Sequence, residues 1–110
     1  MMNEKRKHPR VPVSMRVDCD GIDPIAFGYA QNISLQGMSL IIKYQSKFIL
    51  DDKQSVLIKF MLPGSSHALS IKALALRIEK YEKESTLALQ FTELSELAQK
   101  EINYFLALQI

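Results

Sequence analysis

Residues 26–43 read AFGYAQNISLQGMSLIIK, and this stretch decides the fold. From Ala26 to Ser34 the residues alternate. Phe27, Tyr29, Gln31 and Ile33 share one face, while Ala26, Gly28, Ala30, Asn32 and Ser34 share the other, which is the period of a strand. Leu35, Gln36 and Gly37 suit a tight hairpin, with Gly37 expected in the left-handed region. Met38 to Lys43 then returns as a strand with Met38, Leu40 and Ile42 inward. The small face of the first strand is expected to point outward as a shallow floor ending in Asn32 and Ser34.

The same period extends on both sides. Val11, Val13, Met15, Val17 and Cys19 form one face of a strand whose lead-in contains Pro12. Asp20-Gly21-Ile22-Asp23-Pro24 reads as a turn and Tyr44 to Lys53 as a loop. Val56, Ile58, Phe60 and Leu62 define a strand from Ser55 to Leu62, and Pro63-Gly64-Ser65-Ser66 the turn after it. Leu69 to Lys80 is a long strand whose phase slips, since Leu69 and Ile71 differ in parity from Leu74, Leu76 and Ile78. One extra residue near Ala73 accounts for the slip as a β-bulge. Tyr81 to Glu84 turns the chain, and Thr86 to Phe91 is a strand with Leu87, Leu89 and Phe91 inward. From about Ser95 the period becomes helical, with Leu94, Leu97, Ala98, Ile102, Phe105 and Leu106 as an apolar stripe and Ser95 or Thr92 as its cap. Six strands and a helix predict an all-β fold, a small antiparallel six-stranded β-barrel with a C-terminal α-helix.

Bulk properties bound the function. A chain of 110 residues, 47% hydrophobic and 24% charged, suits one globular domain, here residues 11–110, preceded by a flexible segment 1–10. Net charge is only +2, but Lys5, Arg6, Lys7 and Arg10 lie within six positions, a local attraction for a small anion. Cys19 is the only cysteine, so no intrachain disulfide forms. With no apolar run of membrane-spanning length and no signal-peptide pattern, a cytoplasmic location is expected.

Two motifs carry chemistry. Arg6-Lys7-His8-Pro9-Arg10 is RxxxR, and Asn32-Ile33-Ser34-Leu35-Gln36-Gly37 is NxSxxG, beginning 22 positions after Arg10. A guanidinium pairs in bidentate fashion with a phosphate or the O6/N7 edge of guanine, and stacks on a purine face. Asn32 offers an amide to a guanine edge, Ser34 a hydroxyl to a phosphate oxygen, and Gly37 the turn. Read alone, a basic N-terminus is a solvated tail and NxSxxG a common turn; Asn32-Ile33-Ser34 is also a glycosylation sequon, discounted because no secretory signal accompanies it. The pair together points to one small anionic ligand.

In this order and separation the motifs resemble the PilZ domain, a bacterial receptor module for cyclic di-GMP, and the resemblance covers nearly the whole chain. It implies a six-stranded barrel in which Arg6 and Arg10 hold guanine and phosphate groups, Asn32 and Ser34 contact the ligand, and Gly37 shapes the turn. Lys5, Lys7 and His8 are possible additional contacts. Asn32 stands where many relatives carry Asp, a change the family tolerates. The resemblance implies cyclic di-GMP as the ligand and no cofactor. It further implies that the signal passes to an unidentified protein partner in motility, biofilm or secretion control.

Other residues carry less. His8 and His67 have no ligand pattern around them, so no metal is expected. No catalytic constellation stands out, so no enzyme is expected. Nucleic acid is disfavoured because the nine aromatics fall mainly on predicted core faces. Leu106 to Ile110 is apolar nearly all round, which leaves room for a homodimer contact or a partner protein. The alternative function is a nucleotide-independent protein-interaction domain.

Overall fold

The computed structural model describes residues 10–20, 26–43, 53–81 and 84–109. Within them run β1 (Val11–Asp20), β2 (Ala26–Ile33), β3 (Gly37–Lys43), β4 (Ser55–Met61), β5 (Ala68–Lys80), β6 (Glu84–Glu93) and α1 (Glu96–Ala107). The strands close into an antiparallel barrel in the order β1-β2-β3-β6-β5-β4. The turn expected at Asp20–Pro24 lies largely outside the described residues, as does the loop expected at Tyr44–Lys53 up to residue 52.

Strict alternation reads directly into the barrel interior. Met15, Val17 and Cys19 of β1, Met38, Leu40 and Ile42 of β3, and Val56, Ile58 and Phe60 of β4 are all buried. Leu62-Pro63-Gly64-Ser65 closes β4 onto β5, with Ser65 N–H donating to Leu62 O at 2.9 Å. Gly64 takes φ +84°, which this Pro-Gly turn requires.

Two expected phases are corrected. In β2 the small residues face inward: Gly28 and Ala30 are buried while Tyr29 is 47% exposed. A Cβ on Gly28 would stand 2.6 Å from Ile41 O, so β2 passes too close to β3 for a larger interior residue. The floor expected on this face is therefore not an outer surface at Gly28 and Ala30. In β5 the interior phase continues through Ala73 and Ala75, and the extra residue on β5 is Leu76, where the register to β6 shifts between Ala75 and Arg77. The irregularity beside Ala73 instead places Thr92 as the extra residue on β6.

Helix α1 follows as expected, capped by Ser95, whose Oγ accepts from Ala98 N–H at 3.1 Å. Thr92 has another role, donating its hydroxyl to Lys72 O at 3.2 Å. Ala98, Ile102 and Phe105 are the buried face of α1, with Leu94 and Leu106 packed beside them, but Leu97 is 56% exposed. The predicted stripe was one position too wide there. Ile102→Ala is expected to cost about 2–5 kcal/mol in urea unfolding, and Leu97→Ala less than about 0.5.

Burial, with Asp18 and Asp20 adding repulsion, pushes the Cys19 thiol from its ordinary value near 9 up to about 12. The folded chain keeps this proton where the unfolded chain loses it. This contribution to stability is thus complete below about pH 9 and lost as pH rises toward 12. Iodoacetamide at pH 8 is expected to leave Cys19 unmodified in the native chain and to alkylate it in urea, as read by mass spectrometry.

Candidate functional site

A register shift in β2 builds the first part of the site. Ala30 pairs with Leu40 and Asn32 with Ser39, so Gln31 is an extra residue against β3. Gln31 is exposed, Asn32 half-buried and Ile33 fully buried. The bulge thus turns Asn32 to the outer wall and Ile33 into the core. Asn32 Oδ1 is itself buried and has no hydrogen-bond partner among the described residues. An orphaned buried acceptor costs about 1–3 kcal/mol until a donor reaches it.

Beyond Ile33 the chain reverses through Ser34-Leu35-Gln36-Gly37. Ser34 N–H donates to Gly37 O at 2.9 Å, and Ser34 Oγ accepts from Gln36 N–H at 3.1 Å. That bond aims the hydroxyl and leaves its proton to donate. Ser34 is only 3% exposed, so it stands at the bottom of a recess. The hairpin is as expected, but Gly37 is not left-handed: no residue of this turn has a positive φ. Glycine is needed because a Cβ at 37 would lie 1.9 Å from Leu89 O on β6. Phe91 N–H donates to Gln36 O at 2.7 Å and ties the turn to the same strand.

Arg10, 22 residues before Asn32, enters on the same side of the barrel. Its Nη1 donates to Ser39 Oγ at 3.4 Å, and Ser39 is the cross-strand neighbour of Asn32. Arg10 also borders a recess of about 90 Å³ with Ser34, Gln36 and Gly37. A wider groove of about 350 Å³ lies on its other side, lined by Ser39, Leu76, Arg77, Glu79 and Thr86 among others. The cross-strand register explains the groove. Asn32 pairs with Ser39, Ser39 with Ala88, and Ala88 with Arg77. Two small residues, Ser39 and Ala88, make a shallow floor between an amide and a guanidinium. The floor expected along one strand exists across four.

The structure therefore brings together Arg10, Asn32, Ser34 and Gly37. Arg6, Lys5, Lys7 and His8 lie outside the described residues. Leu76 and Arg77 line the grooves beside Arg10 and were not anticipated. The parity slip in Leu69–Lys80 was their signal, and it was placed three residues too early. His67 is exposed, and among the described residues no three of His, Cys, Asp and Glu gather as a metal cluster. No helix of the described residues is long and apolar enough to cross a membrane.

The PilZ domain family profile matches residues 4–108, nearly the full length of the chain. The chain belongs to the PilZ domain family. Among solved structures it resembles the PilZ domain with c-di-GMP of YcgR from Escherichia coli, with a TM-score of 0.80 at 12% identity, covering 96% of this chain and 92% of that one. The Bacillus subtilis inhibitor of motility MotI/DgrA gives a TM-score of 0.79 at 16% identity, covering 97% and 52%. The K. pneumonia MrkH-c-di-GMP complex gives 0.72 at 18% identity, covering 96% and 52%. The chain thus spans about half the length of the latter two. The comparison with curated proteins found no match.

Ser34→Ala removes the acceptor for a turn N–H, and Gly37→Ala forces the backbone of β3 away from β6. Without any ligand, the first is expected to cost about 1 kcal/mol and the second about 1–3 kcal/mol or more. Thermal unfolding followed by circular dichroism checks the order.

Proposed function

We propose that this chain is a receptor for cyclic di-GMP and passes the signal to a protein partner, with no catalysis of its own. One observation carries the reading: Arg10 bonds to Ser39, the cross-strand neighbour of Asn32, while bordering the recess that holds Ser34 and Gly37. Family membership supports it, as do the YcgR and MrkH structures, which contain this dinucleotide.

Each group has a task. The Arg10 guanidinium grips a phosphate or stacks on a guanine, and Arg6 supplies the second guanidinium of RxxxR. Asn32 Oδ1 accepts from a guanine N–H, which supplies the donor it lacks among the described residues. The Ser34 hydroxyl donates to a phosphate oxygen. Gly37 keeps the recess open by letting β3 and β6 meet. Leu76 offers an apolar side chain, 47% exposed beside Arg10, for a base to lie against, and Arg77 adds a cation at the far side of the floor. Lys5, Lys7 and His8 remain additional contacts of the same segment. Residues 11–110 act as one receptor domain in the cytoplasm, and residues 1–10 carry the arginine pair to it.

Titration calorimetry with pure cyclic di-GMP is expected to give low-micromolar or tighter binding that weakens as salt is raised. Arg6→Ala and Arg10→Ala are each expected to lose about 10- to 100-fold, the value of one charge-assisted contact. Ser34→Ala and Leu76→Glu should weaken binding less completely. Wild-type affinity weaker than millimolar would sink the proposal and leave a nucleotide-independent interaction domain.

A further inference from the structure

A second cavity, of about 280 Å³, lies between the turn that follows β4 and helix α1. Leu62, Phe105 and Leu108 give it an apolar lining. The acid in it is Glu101, half-buried, and no Lys or Arg pairs with it among the described residues. The carboxylate is nevertheless held in place. Its Oε1 accepts from Ser65 Oγ at 3.0 Å, and Ser65 Oγ in turn accepts from His67 N–H at 3.0 Å. Ser65 is fixed by the Pro-Gly turn through its own N–H bond to Leu62 O. A preorganised carboxylate beside apolar surface, with no Lys or Arg paired to it among the described residues, is matched by a cation that arrives from outside.

The helix around this carboxylate is prepared for contact as well. Leu97, Glu101, Tyr104 and Leu108 follow one another at intervals of four, three and four, which is one stripe along a helix. The stripe adjoins the buried face and points away from the core. Tyr104 is 69% and Leu108 62% exposed, far more than α1 needs for packing on the barrel. We propose that this cleft and stripe dock an amphipathic segment of a partner protein that places a Lys or Arg side chain on Glu101 between two apolar anchors.

Charge argues for that occupant over the others. A second copy of this chain, pairing stripe on stripe, would bring two Glu101 carboxylates into one apolar seam. An anionic lipid surface would be repelled by the same group. The cavity, about 280 Å³, has room for an inserted side chain. The tyrosine ring beside the carboxylate adds a cation–π surface. The docking stripe also hangs from β6, the strand that holds the Ser34–Gly37 turn through Phe91 N–H and Gln36 O. The docking contact does not depend on the dinucleotide, so it is testable without it.

The experiment is a titration of the ¹⁵N-labelled chain, free of nucleotide, with an acetylated and amidated alanine peptide carrying leucines at helical spacing and one central arginine. A matched peptide with citrulline in place of arginine removes the charge and keeps the shape. Saturable amide shifts confined to Ser65–His67 and the α1 stripe are expected, with binding about tenfold weaker for the citrulline peptide and for Glu101→Gln. Tyr104→Ala, a change at an exposed position, is expected to weaken binding without altering the rest of the spectrum. Equal binding of the two peptides, shifts on another face, no saturable shifts, or self-association of the chain through α1 would each overturn the proposal.

Discussion

The close approach of β3 to β6 at Gly37 is the constraint on which the rest of the molecule depends. These strands are neighbours in the barrel but not in sequence, and their pairing, with that of β1 to β4, closes the sheet. Gly37 pairs with Gln90, and any Cβ at 37 would collide with Leu89 O. The contact therefore demands glycine for space rather than for an unusual φ. It also fixes the turn before it, because Phe91 N–H reaches Gln36 O. A loop of the type that usually moves is thereby built into the wall of a closed barrel. The Ser34 hydroxyl can then be aimed by a backbone bond instead of by a ligand.

Two bulges supply what a regular strand cannot. In perfect alternation, an outward residue is followed by an inward one. Gln31 and Leu76 each break that rule. Were β2 to alternate regularly through Gln31, Asn32 would point into the core and Ile33 into solvent. Were β5 to do so through Leu76, Arg77 would turn inward and Ile78 outward. Each bulge thus serves packing and site together: the same shift that delivers a polar group to the outer wall returns a β-branched residue to the interior. Both face the floor made by Ser39 and Ala88, so two local irregularities on distant strands converge on one surface.

How much of this was legible in the sequence follows from the same logic. β1, β3 and β4 alternate large apolar residues with polar ones, and their inward faces are as the pattern predicts. β2 misleads because its inner positions are small and its outer ones aromatic. Phe27 and Tyr29 lie outside in an edge-to-face pair, 6.0 Å between ring centroids, with the Arg16 guanidinium 4.0 Å from the Phe27 ring. Hydrophobicity alone cannot report that the interior at Gly28 is already filled by Ile41 O and Ile42. In β5 the slip of phase was visible, but its position was not, since Ala73 and Ala75 are apolar enough for either face. Arg10, Asn32, Ser34 and Gly37 could be named from their motifs, because a motif records residue types at fixed spacing. Arg77 could not, because its place opposite Asn32 depends on cross-strand register, which no local pattern encodes.

The site and the core are therefore opposite faces of the same strands, and this bears on how a signal would leave. Asn32 and Arg77 each precede by one position an apolar residue of the inner face, Ile33 within the core and Ile78 packed against it. A ligand that pulled on either side chain would load the bulge beneath it, and the bulge is where the ladder is already weakest. β6 meets both: it pairs with β3 at Ser39 and with β5 at Arg77, in both cases through Ala88. It then runs on through Phe91 and Leu94 into the Ser95 cap of α1. A strain shared by the two bulges has one strand in common, and that strand ends at the helix.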